Sequence, residues 1–246
     1  MIYVLIVIGT FLAIIIICFV LLMGTVRIFT SNDYTMATEE LDPSTIETGD
    51  ILCVGYNTVF GSFVRLWSHS IWTHVGLAYK DPTGAIFILE ACHYPDRNGI
   101  LKVPLSVWIG WNKNAYLCIK RLRTVGDTKL DVDALLTEFK RYEEIKLDSF
   151  NWQWYRLLLS KKYQEPKTLS QHYTCYEVAL NLLKAVGVVR KDYASSAYFP
   201  CDVVWGKFST NPGFWYDHPV RLNPGIYASA LKASHKPLEI ENAAEV

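Results

Sequence analysis

Cys175, His74 and Glu90 are the residues whose types and surroundings suit covalent chemistry. Cysteine catalysis needs a thiolate, a base that generates it and an acceptor that orients the base. A thiol at a helix N-terminus meets unpaired N–H groups and the positive end of the macrodipole, and both favour the thiolate. Cys175 stands where such a helix should begin. Val178, Leu182, Leu183 and Val186 follow on one face, and Gly187 supplies a C′ stop. The competing reading of any free cysteine is a small buried hydrophobe. Cys53 and Cys118, set inside apolar runs, are read that way.

His74 lies in Trp72-Thr73-His74-Val75-Gly76, a strand-like context where a plain core histidine is the bland alternative. Glu90 ends the otherwise apolar run Ile86-Phe87-Ile88-Leu89. A carboxylate there is costly to bury unless it is paired. A His74–Glu90 pair across a hairpin answers both oddities and would hold the imidazole in one tautomer. Metal binding is the rival use of these residue types. No HxxxH, HExxH or CxxC spacing occurs, His69/His74 and Cys92/His93 being the nearest approximations. Neither a phosphate-cradling Gly-rich loop nor a GxSxG elbow is present. No metal and no cofactor are expected.

The elements that must position these residues follow from pattern. Thr48-Gly49-Asp50 is a turn, and Ile51–Val54 is a short apolar strand. Ser62–Ser70 reads as a short helix. Thr73–Tyr79 and Ala85–Ala91 are apolar runs joined by the turn Lys80-Asp81-Pro82-Thr83-Gly84, which predicts a hairpin. Tyr116–Leu122 reads as a further strand. Asp131–Lys146 has helical spacing at Val132, Leu135, Leu136, Phe139 and Tyr142. Strands first and helices later, around one core, predict an α+β fold. There is no internal repeat.

Lys and Arg (24) balance Asp and Glu (24) without any basic stripe, which argues against a nucleic-acid partner. The charges are unevenly placed, for none precedes Arg27, and Ile2–Met23 is almost wholly apolar. A bilayer core of roughly 30 Å takes about 20 helical residues, so residues 1–26 are read as a transmembrane anchor. A cleaved signal peptide would need a basic start and a shorter apolar run. A buried core helix is the other alternative. Residues 27–45 are read as a juxtamembrane linker and 46–246 as the catalytic domain. Five cysteines lie outside the span, an odd number without CxxC pairing, which favours reduced thiols and a domain facing the cytosol or another reducing compartment. Trp152, Trp154 and Tyr155, followed by Leu157–Leu159 and Lys161-Lys162, form either an interfacial patch or a core helix with a basic end.

Thr48-Gly49-Asp50-Ile51-Leu52, Thr73-His74-Val75-Gly76-Leu77, Ile88-Leu89-Glu90-Ala91 and Tyr173-Thr174-Cys175-Tyr176-Glu177 together resemble the successive motifs of the circularly permuted papain-like hydrolases. These are the NlpC-type enzymes of the YiiX/YaeF group, related to lecithin retinol acyltransferase and to a family in poxviruses. Tyr198-Phe199-Pro200-Cys201-Asp202-Val203 resembles the segment that follows the cysteine helix there. The match runs over roughly residues 46–206, in the permuted order of histidine before cysteine. The resemblance implies a permuted papain-like domain, an antiparallel sheet packed on helices, with Cys175 as nucleophile, His74 as base and Glu90 as the orienting third member. Tyr176 departs from the family, whose members often carry Ser after the cysteine.

The expectation is thus a membrane-anchored thiol hydrolase or acyltransferase. It would cleave an amide or ester bond through a Cys-His-Glu triad and an acyl-enzyme. Its partners would be the bilayer and a peptide, lipidated or lipid acyl substrate, on a virion or host membrane if the source is viral. The alternative from another class is an inactive papain-like module serving as a membrane-tethered binding or structural protein.

Overall fold

The computed structural model describes residues 3, 7–18, 36–56, 58–68, 70–94, 97–143, 145, 173–192, 195, 198 and 200–223. Residues 7–18 are helical and are called α1. Among the described residues no helix is long and apolar enough to cross a membrane. The transmembrane anchor expected over 1–26 is corrected on that finding. The single-pass localisation and the bilayer as partner are corrected with it. The rest of the Ile2–Met23 run lies outside the described residues, as do the aromatic and basic patch from Trp152 to Lys162 and the side chain of Phe199.

The remaining elements form the α+β arrangement that the order of strands and helices predicts. The strands are β1 (Thr38–Glu40), β2 (Ile51–Gly55), β3 (His74–Lys80), β4 (Ile86–Tyr94), β5 (Arg97–Pro104), β6 (Tyr116–Lys120), β7 (Leu122–Thr124), β8 (Phe214–Tyr216) and β9 (Val220–Asn223). The helices after α1 are α2 (Val59–Ser68), α3 (Leu105–Trp111), α4 (Val132–Glu143), α5 (Cys175–Ala185) and α6 (Pro200–Val204). Seven strands make one sheet in the order β1-β9-β6-β2-β3-β4-β5, and β7 pairs with β8 in a separate ribbon. Every pair in the large sheet is antiparallel except β1 with β9. β1 lies within the segment whose polar composition reads as linker, and forms one edge of the sheet.

Side-chain alternation sends each strand's residues to two cores. Ile51, Cys53, Val75, Leu77, Leu89 and Cys118 join α4 and α5 on one face. Leu52, Val54, Ala78, Ile88, Leu117 and Ile119 join Trp108 and Ile109 of α3 on the other. Because both faces are covered, the central strands read as unbroken apolar runs rather than alternating ones.

Helix α5 is fixed at both ends and along its length. The Thr174 backbone N–H and hydroxyl both donate to Glu177 Oε2, each at 2.9 Å, which anchors the start. At the end, Gly187 adopts φ of 74°, its N–H donates to the Lys184 carbonyl, and the Val188 N–H donates to the Leu183 carbonyl. That pair of bonds is a Schellman motif, closed by the buried side chains of Leu183 and Val188. Val178, Leu180, Leu182 and Leu183 are fully buried. Each contributes about 1.5–3 kcal/mol of apolar burial, so packing against β3 and β4 holds the helix.

Two further contacts set where β3 starts. The Thr73 N–H and hydroxyl both donate to the Val54 carbonyl, and Thr73 Oγ1 accepts from the Tyr56 N–H at 3.0 Å. Asp50 ties the turn before β2 to β7: its carboxylate accepts from the Leu122 N–H at 2.8 Å and the Glu47 N–H at 3.1 Å.

Gly76 is the close approach on which the β3–β4 pairing depends. A Cβ there would stand 2.4 Å from Ile88 Cγ2 and 3.7 Å from Glu90 Oε2. Gly76→Ala is therefore expected to lose about 1–3 kcal/mol through overpacking, seen as a lower denaturant midpoint at unchanged slope. An unaltered midpoint would show that β4 can shift to make room.

Candidate functional site

His74 is the first residue of β3 and Cys175 the first of α5. Both therefore sit at element ends, where a side chain can reach past the body of the sheet. Glu90 comes from the neighbouring strand. The β3–β4 register pairs Leu77 with Leu89, and continuing it puts Glu90 opposite Gly76. From there the carboxylate reaches diagonally, over a position with no Cβ, to the imidazole. His74 Nε2 and Glu90 Oε2 are 2.7 Å apart, and both side chains are buried. This is the His–Glu pair that the two oddities in the sequence predict.

Trp108 is a participant that the sequence reading missed. Its Nε1–H donates to the same Glu90 Oε2 at 2.8 Å. Trp108 is fully buried in α3, on the sheet face that His74 and Glu90 share. Nothing in its local spacing marks it, because its partner is 18 residues away on another element. Glu177 was also missed, though Thr174-Cys175-Tyr176-Glu177 is a readable capping pattern. Tyr56 completes the surroundings, its ring centroid 5.9 Å from that of His74.

The proton affinity of His74 is the main electrostatic feature. Burial is the largest single influence and disfavours the imidazolium, but Cys175 and Glu90 together outweigh it. The pKa consequently stands well above the ordinary imidazole range. With Nε2 taken by Glu90, Nδ1 is the nitrogen left for the thiol.

The other cysteines differ from Cys175. Cys53, Cys92, Cys118 and Cys201 are buried, while Cys175 is half-exposed. Burial pushes the Cys201 thiol up to about 11, and its Sγ–H donates to the Ser68 carbonyl at 3.5 Å. Cys53 and Cys118 face each other across β2 and β6 inside the core. Tyr176, the departure from the family pattern, is buried in the core. Tyr173 packs edge-on against Tyr142 of α4 with centroids 5.0 Å apart, steadying the chain just before Cys175. Among the described residues no group of three or more His, Cys, Asp or Glu comes together to hold a metal ion.

No family model matches the chain, and no curated protein matches it. Among solved structures it is similar to the metalloprotein yiiX from Escherichia coli O157:H7, at 20% identity and a TM-score of 0.41. The likeness covers 58% of this chain and 69% of that one. It is a weak structural similarity to the YiiX group.

The expected membrane-anchored hydrolase or acyltransferase working through a Cys-His-Glu triad is corrected on two findings. No described helix crosses a membrane. The hydrogen bond of full geometry at the ring is the one to Glu90, and Cys175 bears on the ring through its charge and its side-chain contact, short of the complete triad geometry that expectation requires. The residues thus form a tight His–Glu pair with a neighbouring thiol rather than a closed relay.

The raised pKa has a definite sign. Imidazolium stabilisation is fully present below the unfolded value of about 6.5. It is lost as pH rises through the higher folded value. Long-range proton–nitrogen NMR should find the His74 ring still protonated well above pH 6.5. Glu90→Gln should move that titration to lower pH, and an unmoved titration would mean that the carboxylate does not hold the proton.

Proposed function

We propose that the chain is a cysteine enzyme of the hydrolase or acyltransferase type, with Cys175 as nucleophile and His74 as its proton acceptor. Glu90 acts as a positioning residue that holds the ring through Nε2. The observation that carries this reading is the half-exposed thiol beside an imidazole whose far nitrogen is bonded to a buried carboxylate. The papain-like motifs in permuted order support the same assignment of roles.

The chemistry follows from the groups present. The thiolate attacks an electrophilic carbonyl carbon, and its proton resides on His74. The carbonyl oxygen becomes an oxyanion that needs N–H donors. The first bond inside α5 runs from the Val178 N–H to the Thr174 carbonyl. The N–H of Cys175 therefore stands ahead of the helix ladder and is suited to the oxyanion. The imidazolium then returns its proton to the leaving group, giving a thioester at Cys175. Water or another acceptor attacks that thioester, losing its proton to His74, and releases the acyl group and the thiol. Glu90 keeps the ring from turning through both steps, and Trp108 in turn keeps Glu90 in place.

Site-resolved alkylation with iodoacetamide tests the proposal, because the exposed Cys18 provides an internal reference. Cys175 is expected to react faster than Cys18 at neutral pH. His74→Ala should slow Cys175 by about 10²-fold, the low end of general-base contributions, and leave Cys18 unchanged. Labelling of Cys175 that is no faster than Cys18, or indifferent to His74→Ala, would remove the basis for a catalytic thiol.

A further inference from the structure

At the other end of β6 a lysine is buried in a way that the fold itself does not explain. Lys120 is 4% exposed, and its Nζ donates to the Asp217 carbonyl at 3.1 Å. An ammonium has three N–H groups. Among the described residues this carbonyl is the only hydrogen-bond acceptor for Lys120, and no carboxylate forms an ion pair with it. The nearby Asp217 carboxylate is engaged elsewhere, 2.6 Å from Arg123 Nε. Asp217 favours the charge only through space and the Tyr216 ring centroid lies 5.9 Å from Nζ, so the ammonium has no direct counter-ion among the described residues, and burial, the largest influence, lowers its pKa. An unpaired buried charge is costly.

Lys120 lines a cleft of about 320 Å³, large enough for a small organic molecule. The other walls are mostly aromatic. Trp205 stands edge-on to His218 with centroids 5.7 Å apart, and Phe208 stands edge-on to Tyr216 at 5.6 Å. Trp215 is 44% exposed at the rim. The Tyr216 hydroxyl already donates to the Gly49 carbonyl. Gly206 lies so close that a Cβ there would be 3.2 Å from Lys120 Nζ, which leaves the cleft side open to the ammonium. The cleft is separate from the Cys175 site. Lys120 pairs with Ile51 at one end of β2, and His74 pairs with Val54 toward the other, a separation of roughly 10 Å along the strand.

We infer that this cleft binds a small carboxylate carrying a flat apolar group, with the carboxylate on Lys120 and the apolar group against Trp205 and Trp215. A carboxylate accepts the N–H groups that the Asp217 carbonyl leaves over and balances the buried charge. Indole walls reward a planar apolar body. The inference does not rest on the chemistry of Cys175.

Phenylacetate is a suitable probe, titrated into the full chain by calorimetry and followed at the tryptophan indole NMR signals. Benzyl alcohol and inorganic phosphate serve as the neutral and the apolar-free comparisons. Saturable binding of phenylacetate is expected, with both comparisons at least about 10-fold weaker, as fits loss of one charge-assisted contact or of the stacking wall. Lys120→Met should weaken phenylacetate by a similar factor. Trp215→Ala, at an exposed position, should weaken it several-fold even if Lys120→Met fails to fold. Cys175→Ala should bind as the wild type does. Absence of saturable binding, phosphate binding as tightly as phenylacetate, or full affinity in Trp215→Ala would each overturn the inference.

Discussion

A carboxylate buried at the end of an apolar strand run is the constraint on which the candidate site depends. Removing an ionised carboxylate from water costs several kcal/mol even after relaxation, so Glu90 must be met by donors wherever it lies. Two donors meet it, His74 from β3 and Trp108 from α3, and both bond the same oxygen, Oε2. Strand pairing brings the first and helix packing the second. The hairpin, the helix that follows β5 and the charge state of the imidazole are therefore linked. Shifting any one of them leaves the carboxylate short of a partner.

Gly76 and Thr73 are the backbone side of that linkage. The diagonal reach from Glu90 to His74 passes over position 76, where any Cβ would collide with Ile88. Thr73 clips the start of β3 to the end of β2, so the imidazole cannot swing away with a frayed strand end. The cysteine helix is located independently, by its core contacts and the Tyr142–Tyr173 packing. Thiol and ring thus meet at the ends of two separately fixed elements.

What the sequence discloses is what local pattern can encode. The hairpin of β3 and β4, the α4 spacing and the Cys175 helix with its Gly187 stop all appear where periodicity and turn residues put them, with ends shifted by a few residues. The run read as one strand through Leu122 breaks at Arg121, where Asp50 captures the Leu122 N–H and starts β7. The His74–Glu90 pair was legible because a lone carboxylate in an apolar run demands a partner and a hairpin supplies one. Trp108's bond to Glu90 and the β1–β9 edge were not, because each is defined by a partner on a separate element that no local spacing marks. The anchor reading shows the opposite failure. A charge-free apolar run is necessary for a membrane span but not sufficient, and among the described residues no helix is long and apolar enough to cross one.

The two buried charges of the sheet, Glu90 on β4 and Lys120 on β6, make an informative contrast. Glu90 is answered by two N–H groups donated from within the fold, so its pocket is filled by partners the chain itself supplies. Lys120 is answered by one carbonyl, while the closest carboxylate is held by Arg123. Both residues are buried, and the difference lies in what surrounds them. A charge that the chain satisfies by itself holds structure in place, and one that it satisfies only in part, at the wall of an aromatic cleft, has capacity left for something from outside.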